Sequence, residues 1–320
     1  MINKDSKIYI AGHKGMVGSA CWRALENAGY TNLIGRSSKE LDLRDQREVK
    51  DFLESEKPYA IIDAAAKVGG ILANDTYPYE FLMDNMLIQN NLIRSAHELD
   101  IQKFIFLGSS CIYPKLAPQP LKEEYLLTGP LESTNEWYAI AKISGVKLIE
   151  SLRIQYGRDY VSLMPTNLYG PGDNFDLNTS HVLPAMIRKY HDAKMNNTTV
   201  TLWGTGSPMR EFLYVDDLAQ AVKFSLEHSL KGSLYNVGTG NDITIKGLAK
   251  MIEEIVGFEG FTDWDTSKPD GTPRKLLNTN RLKQEGWEAS ISLKEGIKKT
   301  YKWYMENEKS LRILNFSNDN

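Results

Sequence analysis

The start of the chain combines a short apolar run with three glycines at intervals of three. Residues 7–11 read as a buried strand, and Gly12, Gly15 and Gly18 follow it at the start of a helical stretch, residues 16–28. Glycines allow a tight turn and let the N–H groups of a helix start approach a phosphate. The spacing is G-x-x-G-x-x-G instead of G-x-G-x-x-G, so an ordinary loop remains an alternative. Its place at the head of a strand–helix alternation favours a dinucleotide-binding unit.

That alternation continues to residue 171 and then breaks. Further strand-like runs lie at 32–35, 60–63, 103–107 and 161–164, and helical patterns lie between them. A capping box at Ser133–Glu136 predicts the start of a helix that runs to about Tyr156. The pattern predicts an α/β fold of the Rossmann type, a doubly wound parallel sheet with a second, smaller α/β lobe. We expect a dinucleotide-binding domain over 1–171, joined again by 211–240, and a substrate-binding lobe from 172–210 and 241–320.

Composition narrows the functional classes. The 320 residues carry a net charge of −3 without a long basic run, which argues against a nucleic-acid or anionic-membrane partner. No apolar run reaches the length of a membrane span, and the N-terminus lacks the apolar region of a signal peptide. The two cysteines, Cys21 and Cys111, and five scattered histidines predict no structural disulfide and no metal site. We therefore expect a cytoplasmic protein.

Polar and reactive side chains follow the strand-like run at 103–107. Ser109 and Cys111 come directly after it, where open α/β sheets bind their ligands. Tyr138 and Lys142 are four residues apart and so share one face of a helix. A hydroxyl, a thiol, a phenol and an ammonium group can thus converge on one small molecule. The alternative for either segment alone is a serine-rich turn or a surface tyrosine–lysine pair.

The residue after the second strand indicates which dinucleotide binds. NAD-binding folds usually place an acid there for the ribose 2′-hydroxyl, whereas an arginine accommodates a 2′-phosphate. Arg36 follows residues 32–35, and Lys14 supplies a second cation nearby. A solvated loop arginine is the alternative. The pattern favours NADP(H) as the cofactor.

Taken together, these motifs resemble the extended short-chain dehydrogenase/reductases. They are Gly12-x-x-Gly15-x-x-Gly18, Ser109, Tyr138-x-x-x-Lys142 and the segment from Arg210 to Asp217. Within that superfamily the chain is similar to the GDP-L-fucose synthase family over nearly its whole length. The similarity is carried by residues 108–115, 138–142, 164–171, 180–182, 208–212 and 267–275. One departure is Lys14, because the family often has arginine at this position. Lysine keeps the positive charge but lacks the bidentate geometry of a guanidinium.

The resemblance implies an NADPH-dependent conversion of GDP-4-keto-6-deoxy-D-mannose to GDP-L-fucose. In it, C3 and C5 are epimerised and the C4 ketone is then reduced by hydride. Cys111 would be the base and His181 the acid on the opposite face of the ring, since their ordinary pKa values of roughly 8.5 and 6.5 bracket neutrality. Ser109 and Tyr138 would stabilise the enolate, and Tyr138, assisted by Lys142, would protonate O4. The alternatives are a buried cysteine that only fills space and a histidine that caps the next helix.

The resemblance also assigns binding residues. Substrate binding would involve Arg188, Trp203, Arg210 and Asp270. The alternatives are a solvated helix charge for Arg188, a core aromatic for Trp203 and a turn-forming aspartate for Asp270. Cofactor binding would involve Gly12, His13, Lys14, Gly15, Met16, Val17, Gly18, Arg36, Leu41, Leu107, Gly108, Ser109, Ser110, Lys142, Pro165, Thr166, Asn167, Leu168 and His181.

Quaternary structure and rival functions follow from the same resemblance. A homodimer formed through the helices near 82–99 and 138–156 is expected. The rivals are another nucleotide-sugar epimerase or reductase, such as an NAD-retaining 4-epimerase, and a catalytically silent NADP-binding regulator. Arg36 and the pair Cys111 and His181 speak against the first, and the intact set Ser109, Tyr138 and Lys142 speaks against the second.

Overall fold

The apolar runs near the start of the chain become the buried strands of a central sheet. The computed structural model describes residues 2–177, 179–268 and 270–311. Its strands, in chain order, are β1 (Ile8–Ala11), β2 (Leu33–Ile34), β3 (Ala60–Asp63), β4 (Lys103–Leu107), β5 (Asp159–Pro165), β6 (Asn167–Tyr169), β7 (Val200–Trp203), β8 (Met209–Tyr214), β9 (Leu234–Val237), β10 (Asp242–Thr244), β11 (Thr262–Asp265) and β12 (Arg274–Lys275).

The helices follow the strands as the alternation predicts. They are α1 (Met16–Asn27), α2 (Gln46–Glu56), α3 (Ile71–Thr76), α4 (Pro78–Glu98), α5 (Glu136–Tyr156), α6 (Val182–Asn196), α7 (Val215–Glu227), α8 (Ile245–Val256), α9 (Asn280–Glu285) and α10 (Leu293–Asn307).

Six parallel strands form the main sheet in the order β2-β1-β3-β4-β5-β9. Helices α1 and α7 cover one face, and α2, α4 and α5 cover the other. The chain runs outward from β1 to β2 and returns to β3 on the other side of β1. Ligands bind at such a topological switch point, beyond the carboxyl ends of the strands. The predicted Rossmann-type fold is confirmed.

The smaller lobe has its own core. Strands β10, β8 and β12 form a sheet with β6 beside β8, and β7 pairs with β11. Buried side chains of α6, α8 and α10 pack on these strands. Strand β8 belongs to this second sheet, whereas α7 packs on the main sheet and β9 is its last strand. The domain limits drawn from the sequence stay a prediction.

The start of α5 differs from the sequence prediction. Residues Ser133–Asn135 form a short 3₁₀ turn, and α5 begins at Glu136 without a side-chain cap. The capping-box prediction was therefore wrong, because Ser133 lies inside this turn instead of at the helix boundary. Helix α3 was not predicted, and α4 begins earlier than expected because Pro78 occupies its first turn.

Among the described residues, no helix combines the length and the apolar character that crossing a membrane requires.

Candidate active site

The glycine loop lies at the switch point and has no room for side chains. Gly12 adopts a φ of 74°, and a Cβ there would lie 2.7 Å from the carbonyl oxygen of Ala64. A Cβ on Gly18 would lie 2.2 Å from the carbonyl oxygen of Gly12. Gly15 precedes α1, and no side chain caps that helix. The backbone at the start of α1 can therefore approach a pyrophosphate, which fits a dinucleotide.

Arg36 lies at the outer side of this loop. Its Nη2 is 3.0 Å from Oε1 of Glu56, and its guanidinium lies 5.2 Å from the ring centre of Phe52. His13 is packed against Gly35, where an added Cβ would come within 2.4 Å of the imidazole ring. Because Lys14 is exposed at the same loop, two cations border this end of the site.

A shallow groove continues from Arg36 along α2. Leu41 is buried at its floor, and residues 38–42 together with Glu48, Asp51 and Phe52 line it. Only Leu41 and Phe52 are apolar among these residues, and four of the others are acidic. The contact of Leu41 with the cofactor stays a prediction.

Strand ends β4 and β5 form the inner side of the site. At Gly108 a Cβ would collide with the Met164 side chain at 2.1 Å, so the chain passes close to β5. Ser110 is buried in the turn that follows. After Pro165, the side chains of Thr166 and Asn167 both donate to the carbonyl of Glu211, at 3.3 and 2.7 Å. Their side chains thus anchor the start of β6 to β8, and Leu168 continues that strand.

Ser109, Tyr138 and Lys142 meet where β4 and α5 come together. The Ser109 hydroxyl accepts from the Cys111 N–H at 3.4 Å and so begins the turn that carries the thiol. Lys142 Nζ donates to the carbonyl of Leu107 at 3.0 Å and lies 5.8 Å from the ring centre of Tyr138. The hydroxyl, phenol and ammonium predicted to converge therefore lie at one strand edge.

Burial dominates the electrostatics of this group. Burial raises the pKa of the Tyr138 phenol, and the negative charges of Cys111 and Asp63 add to the rise. Burial lowers the pKa of Lys142, whereas Asp63 and Cys111 act in the opposite direction. The charged form of Lys142 is thus favoured mainly by its acidic neighbours.

Cys111 is buried beside two lysines that come from distant parts of the chain. Burial raises the pKa of its thiol, while Lys275 and Lys142 lower it. Lys275 stands next to Arg210 in the register of β12 with β8. Burial lowers the pKa of both cations. Two cations beside a thiol at the entrance of the smaller lobe suit an anionic substrate such as a diphosphate.

The last candidate catalytic residue, His181, is exposed. It precedes α6, and its side chain makes no capping hydrogen bond, which removes the main support for the capping alternative. Carbonyl oxygens of Thr179 and Ser180 would lie 3.3 and 3.6 Å from a Cβ on Gly70, so the loop packs against the segment that follows β3. Desolvation lowers the pKa of His181 although the residue is exposed at the cleft. In the described part of the chain, no hydrogen bond or ion pair joins His181 to Cys111.

The remaining residues that were predicted to bind the substrate lie on the smaller lobe. Trp203 is 67% exposed, with Lys189 and Lys268 Nζ at 5.8 and 5.6 Å from its ring. The carboxylate of Asp270 accepts from the N–H and the hydroxyl of Thr205, at 2.9 and 2.6 Å. A largely exposed Trp203 argues against the core alternative. Asp270 holds the distant Thr205, and its role toward a substrate stays a prediction.

Arg188 is engaged within its own lobe. Its Nη1 donates to the carbonyl of Phe175 at 3.2 Å, and its Nε lies 3.4 Å from Asp192 Oδ2 one turn along α6. Its role toward a substrate stays a prediction, and the structure gives it a local role as well.

Two residues of the site were missed in the sequence interpretation. Lys275 was recognised only as part of a motif run, since nothing local shows that β12 brings it next to Cys111. Asp63 ends β3 with a completely buried carboxylate beside Lys142. The available signal was an acid at the end of an apolar strand of a parallel sheet, just before the small residues 64–66.

Comparison with known proteins agrees with this architecture. Residues 8–238 match the NAD dependent epimerase/dehydratase family. GDP-L-fucose synthase of Escherichia coli strain K12 is 54% identical over 96% of this chain and 98% of its own length. GDP-L-fucose synthase 1 of Arabidopsis thaliana is 54% identical over 96% of this chain and 95% of its own. The structure of a GDP-L-fucose synthetase from Naegleria fowleri bound to NADP superposes with a TM-score of 0.90 at 28% identity, covering 98% of this chain and 96% of that one. The chain therefore belongs to the NAD dependent epimerase/dehydratase family, in the group that contains the GDP-L-fucose synthases.

Proposed function

We propose that this protein converts GDP-4-keto-6-deoxy-D-mannose to GDP-L-fucose, with NADP(H) as cofactor. The observation that carries the proposal is a buried thiol, Cys111, beside the reductase set Ser109, Tyr138 and Lys142. Reduction alone needs no thiol, whereas epimerisation next to a ketone needs a base. Full-length relatives of 54% identity named GDP-L-fucose synthase support the same substrate.

Epimerisation is the first stage. The C4 ketone acidifies the protons on C3 and C5, and the Cys111 thiolate removes each of them to leave an enolate whose charge rests on O4. Lys275 and Lys142 favour that thiolate electrostatically. His181, at the open side of the cleft, returns a proton to the opposite face of the ring. Hydrogen bonds from Ser109 and Tyr138 to O4 stabilise the enolate.

Reduction is the second stage, and bound NADPH supplies the hydride to C4. Tyr138 donates its phenolic proton to O4 as the alkoxide forms. A charged Lys142 favours loss of that proton, because a cation stabilises the phenolate. The ammonium is held near the phenol by its hydrogen bond to the carbonyl of Leu107.

The cofactor is held by the first strand–helix unit. A side chain at Gly12 or Gly18 would collide with neighbouring backbone atoms, so only backbone faces the pyrophosphate at these two positions. Arg36 and Lys14 give the 2′-phosphate its positive surroundings, and Leu41 borders the adenine groove. These features support NADPH over NADH.

The GDP group is bound by the smaller lobe. Arg210 and Lys275 neutralise the diphosphate, since both are partly buried cations on adjacent strands, and Lys275 lies near Cys111. Trp203 offers an exposed aromatic face to the sugar or base. Asp270 and Arg188 border the same lobe.

A homodimer is part of the proposal. On α4, Tyr79, Met83 and Leu87 repeat at four-residue spacing and are 67%, 37% and 37% exposed. On α5, Trp137 and Ile140 are 42% and 38% exposed. The two helices are in contact, and exposed apolar side chains on neighbouring elements often mark an interaction surface. We define these five residues as the α4/α5 face.

The product decides whether the proposal is correct. The purified protein is incubated with GDP-4-keto-6-deoxy-D-mannose and NADPH in D₂O, and the product is identified by NMR. GDP-L-fucose with deuterium at C3 and C5 is the expected result. A reduced sugar that keeps the original configuration at both carbons would mean a simple reductase, and absence of NADPH oxidation would mean a silent binding protein.

A further inference from the structure

Asp63 is a completely buried carboxylate for which the proposed mechanism has no step. It ends β3, between β1 and β4, at the strand edge that forms the active site. Its Oδ1 accepts from the N–H of Ala65 at 3.2 Å, and its Oδ2 has no hydrogen-bond partner. A buried, half-satisfied carboxylate is costly, so a compensating role is expected.

The register of the sheet brings Asp63 close to Lys142. Asp63 and Phe106 are paired neighbours in β3 and β4, so their side chains stand on the same face. Lys142 Nζ lies 4.7 Å from the ring centre of that same Phe106. No hydrogen bond joins Asp63 to Lys142. The ammonium of Lys142 donates to the carbonyl of Leu107. The two charges therefore act on each other through space.

Other groups facing the pair are few. Tyr9 on β1 has a buried hydroxyl without a hydrogen-bond partner and faces Asp63, and burial raises its pKa. Cys111 and Tyr138 face Lys142 from the turn after β4 and from α5. Tyr138 is a neutral phenol in its resting form, and Cys111 carries a negative charge only as the thiolate that epimerisation uses. In this setting Asp63 is the anion that keeps a proton on the buried ammonium.

We propose that Asp63 is a positioning residue that keeps Lys142 charged beside Tyr138. This inference rests on the proposed function, because a charged Lys142 matters through the acid strength of Tyr138. Burial raises the pKa of Asp63 to about 6, so the carboxylate is ionised at neutral pH and above. An opposite charge nearby shifts a pKa by about one to three units.

The test compares the pH dependence of kcat for the parent protein and Asp63→Asn. The variant keeps the shape of the side chain and loses its charge. Lys142 should then release its proton at lower pH, so the basic limb of the kcat profile should move down by about one unit or more. Coincident profiles for variant and parent would overturn the proposal.

Ser162→Ala is the matched control. Ser162 on β5 is paired with Phe106 from the side of β4 opposite to Asp63. Its buried hydroxyl also lacks a hydrogen-bond partner, but it carries no charge. Its loss should leave the basic limb in place. An equal shift in Ser162→Ala would assign the effect to packing around Phe106 and overturn the role of charge.

A second measurement needs neither turnover nor a folded Asp63→Asn protein. The carboxyl group of ¹³C-labelled Asp63 is titrated by NMR in the parent and in Lys142→Met. Because coupling between two groups is reciprocal, loss of the ammonium should raise the pKa of Asp63. An unchanged Asp63 titration would overturn the proposal. A parent that binds NADPH but makes no GDP-L-fucose would contradict the proposed function instead, and the NMR titration would still report the coupling.

Discussion

Cys111 distinguishes this site from that of a simple reductase, and its replacement separates the two stages. Cys111→Ser should still bind NADPH and the keto-sugar, but its hydroxyl is too weakly acidic to act as an unassisted base. In D₂O the variant should place little or no deuterium at C3 and C5, and it should slowly yield a reduced sugar with both centres unepimerised. NMR of the product measures both properties.

The other cysteine provides the control. Cys21 is buried in α1, where burial raises its pKa to about 12, so it has no role as a base. Cys21→Ser should form GDP-L-fucose with deuterium at both C3 and C5, as the parent does. Ordinary deuterated product from Cys111→Ser at the parental rate would show that another group is the base.

Arg36 sets the expected cofactor preference. Its guanidinium is held by Glu56 and the Phe52 ring at the end of the adenine groove. Arg36→Ala removes a charge-assisted contact worth roughly 1.5–3 kcal/mol. The preference for NADPH over NADH in kcat/KM should therefore narrow on the order of tenfold to a hundredfold. Arg47→Ala, at an exposed position of α2, is the control and should leave it unchanged. Equal kcat/KM for both cofactors in the parent would contradict the assignment.

At the scale of residues, contacts between residues close in sequence could be predicted, whereas contacts between residues far apart in the chain could not. Tyr138 and Lys142 are one helical turn apart, so their proximity follows from the helix alone. Lys275 reaches Cys111 only because β12 pairs with β8, which no local pattern reveals. Asp63 could be read as the last strand residue, but its neighbour Lys142 depends on how α5 lies over β4.

At the scale of elements, segments with a clear apolar pattern were predicted well. Strands β3 and β4 match their predicted limits, 60–63 and 103–107, and α5 ends at the predicted Tyr156. Strands β6, β10 and β12 have three, three and two residues, too few for a pattern. They form because β8 offers them hydrogen-bond partners, so only the folded lobe defines them.

Helices α4 and α5 carry the prediction of a dimer. Sedimentation equilibrium should give about twice the chain mass of 36.2 kDa. The double variant Met83→Glu/Leu87→Glu places charges on the α4/α5 face and should shift the protein to the monomer, because burying unpaired carboxylates is costly. Phe261→Glu, at a 69% exposed position of the smaller lobe, should remain dimeric. A monomeric parent at micromolar concentration would contradict the prediction.

At the scale of the whole molecule, a buried acid in the loop between β6 and α6 links stability to pH. Asp173 follows β6 and is only 7% exposed. Its Oδ1 accepts from the N–H of Asn174 at 2.7 Å, and its Oδ2 has no hydrogen-bond partner. Burial raises its pKa from 3.8 to about 7, and no cation offsets this effect. The folded protein therefore holds a proton that the unfolded chain has already released.

The sign of the effect follows from that difference. Below pH 3.8 the carboxyl group is protonated in both states and costs nothing. As pH rises toward 7, the free energy of unfolding falls, and the full cost of about 4 kcal/mol is present above that pH. Asp173→Asn mimics the protonated form and keeps the acceptor for Asn174. The variant should be more stable than the parent at pH 8, by a Tm difference of several degrees, and the difference should be clearly smaller at pH 5.

Thermal denaturation followed by circular dichroism across pH 5 to 8 measures this difference. Asp263→Asn, which removes a carboxylate from an exposed position of β11, is the control and should show no such trend. A stabilisation by Asp173→Asn that is equal at both pH values would show that shape, and not charge, is responsible. Lower stability of the variant at pH 8 would mean that the carboxylate is compensated by a cation in the folded protein, contrary to its surroundings in this structure.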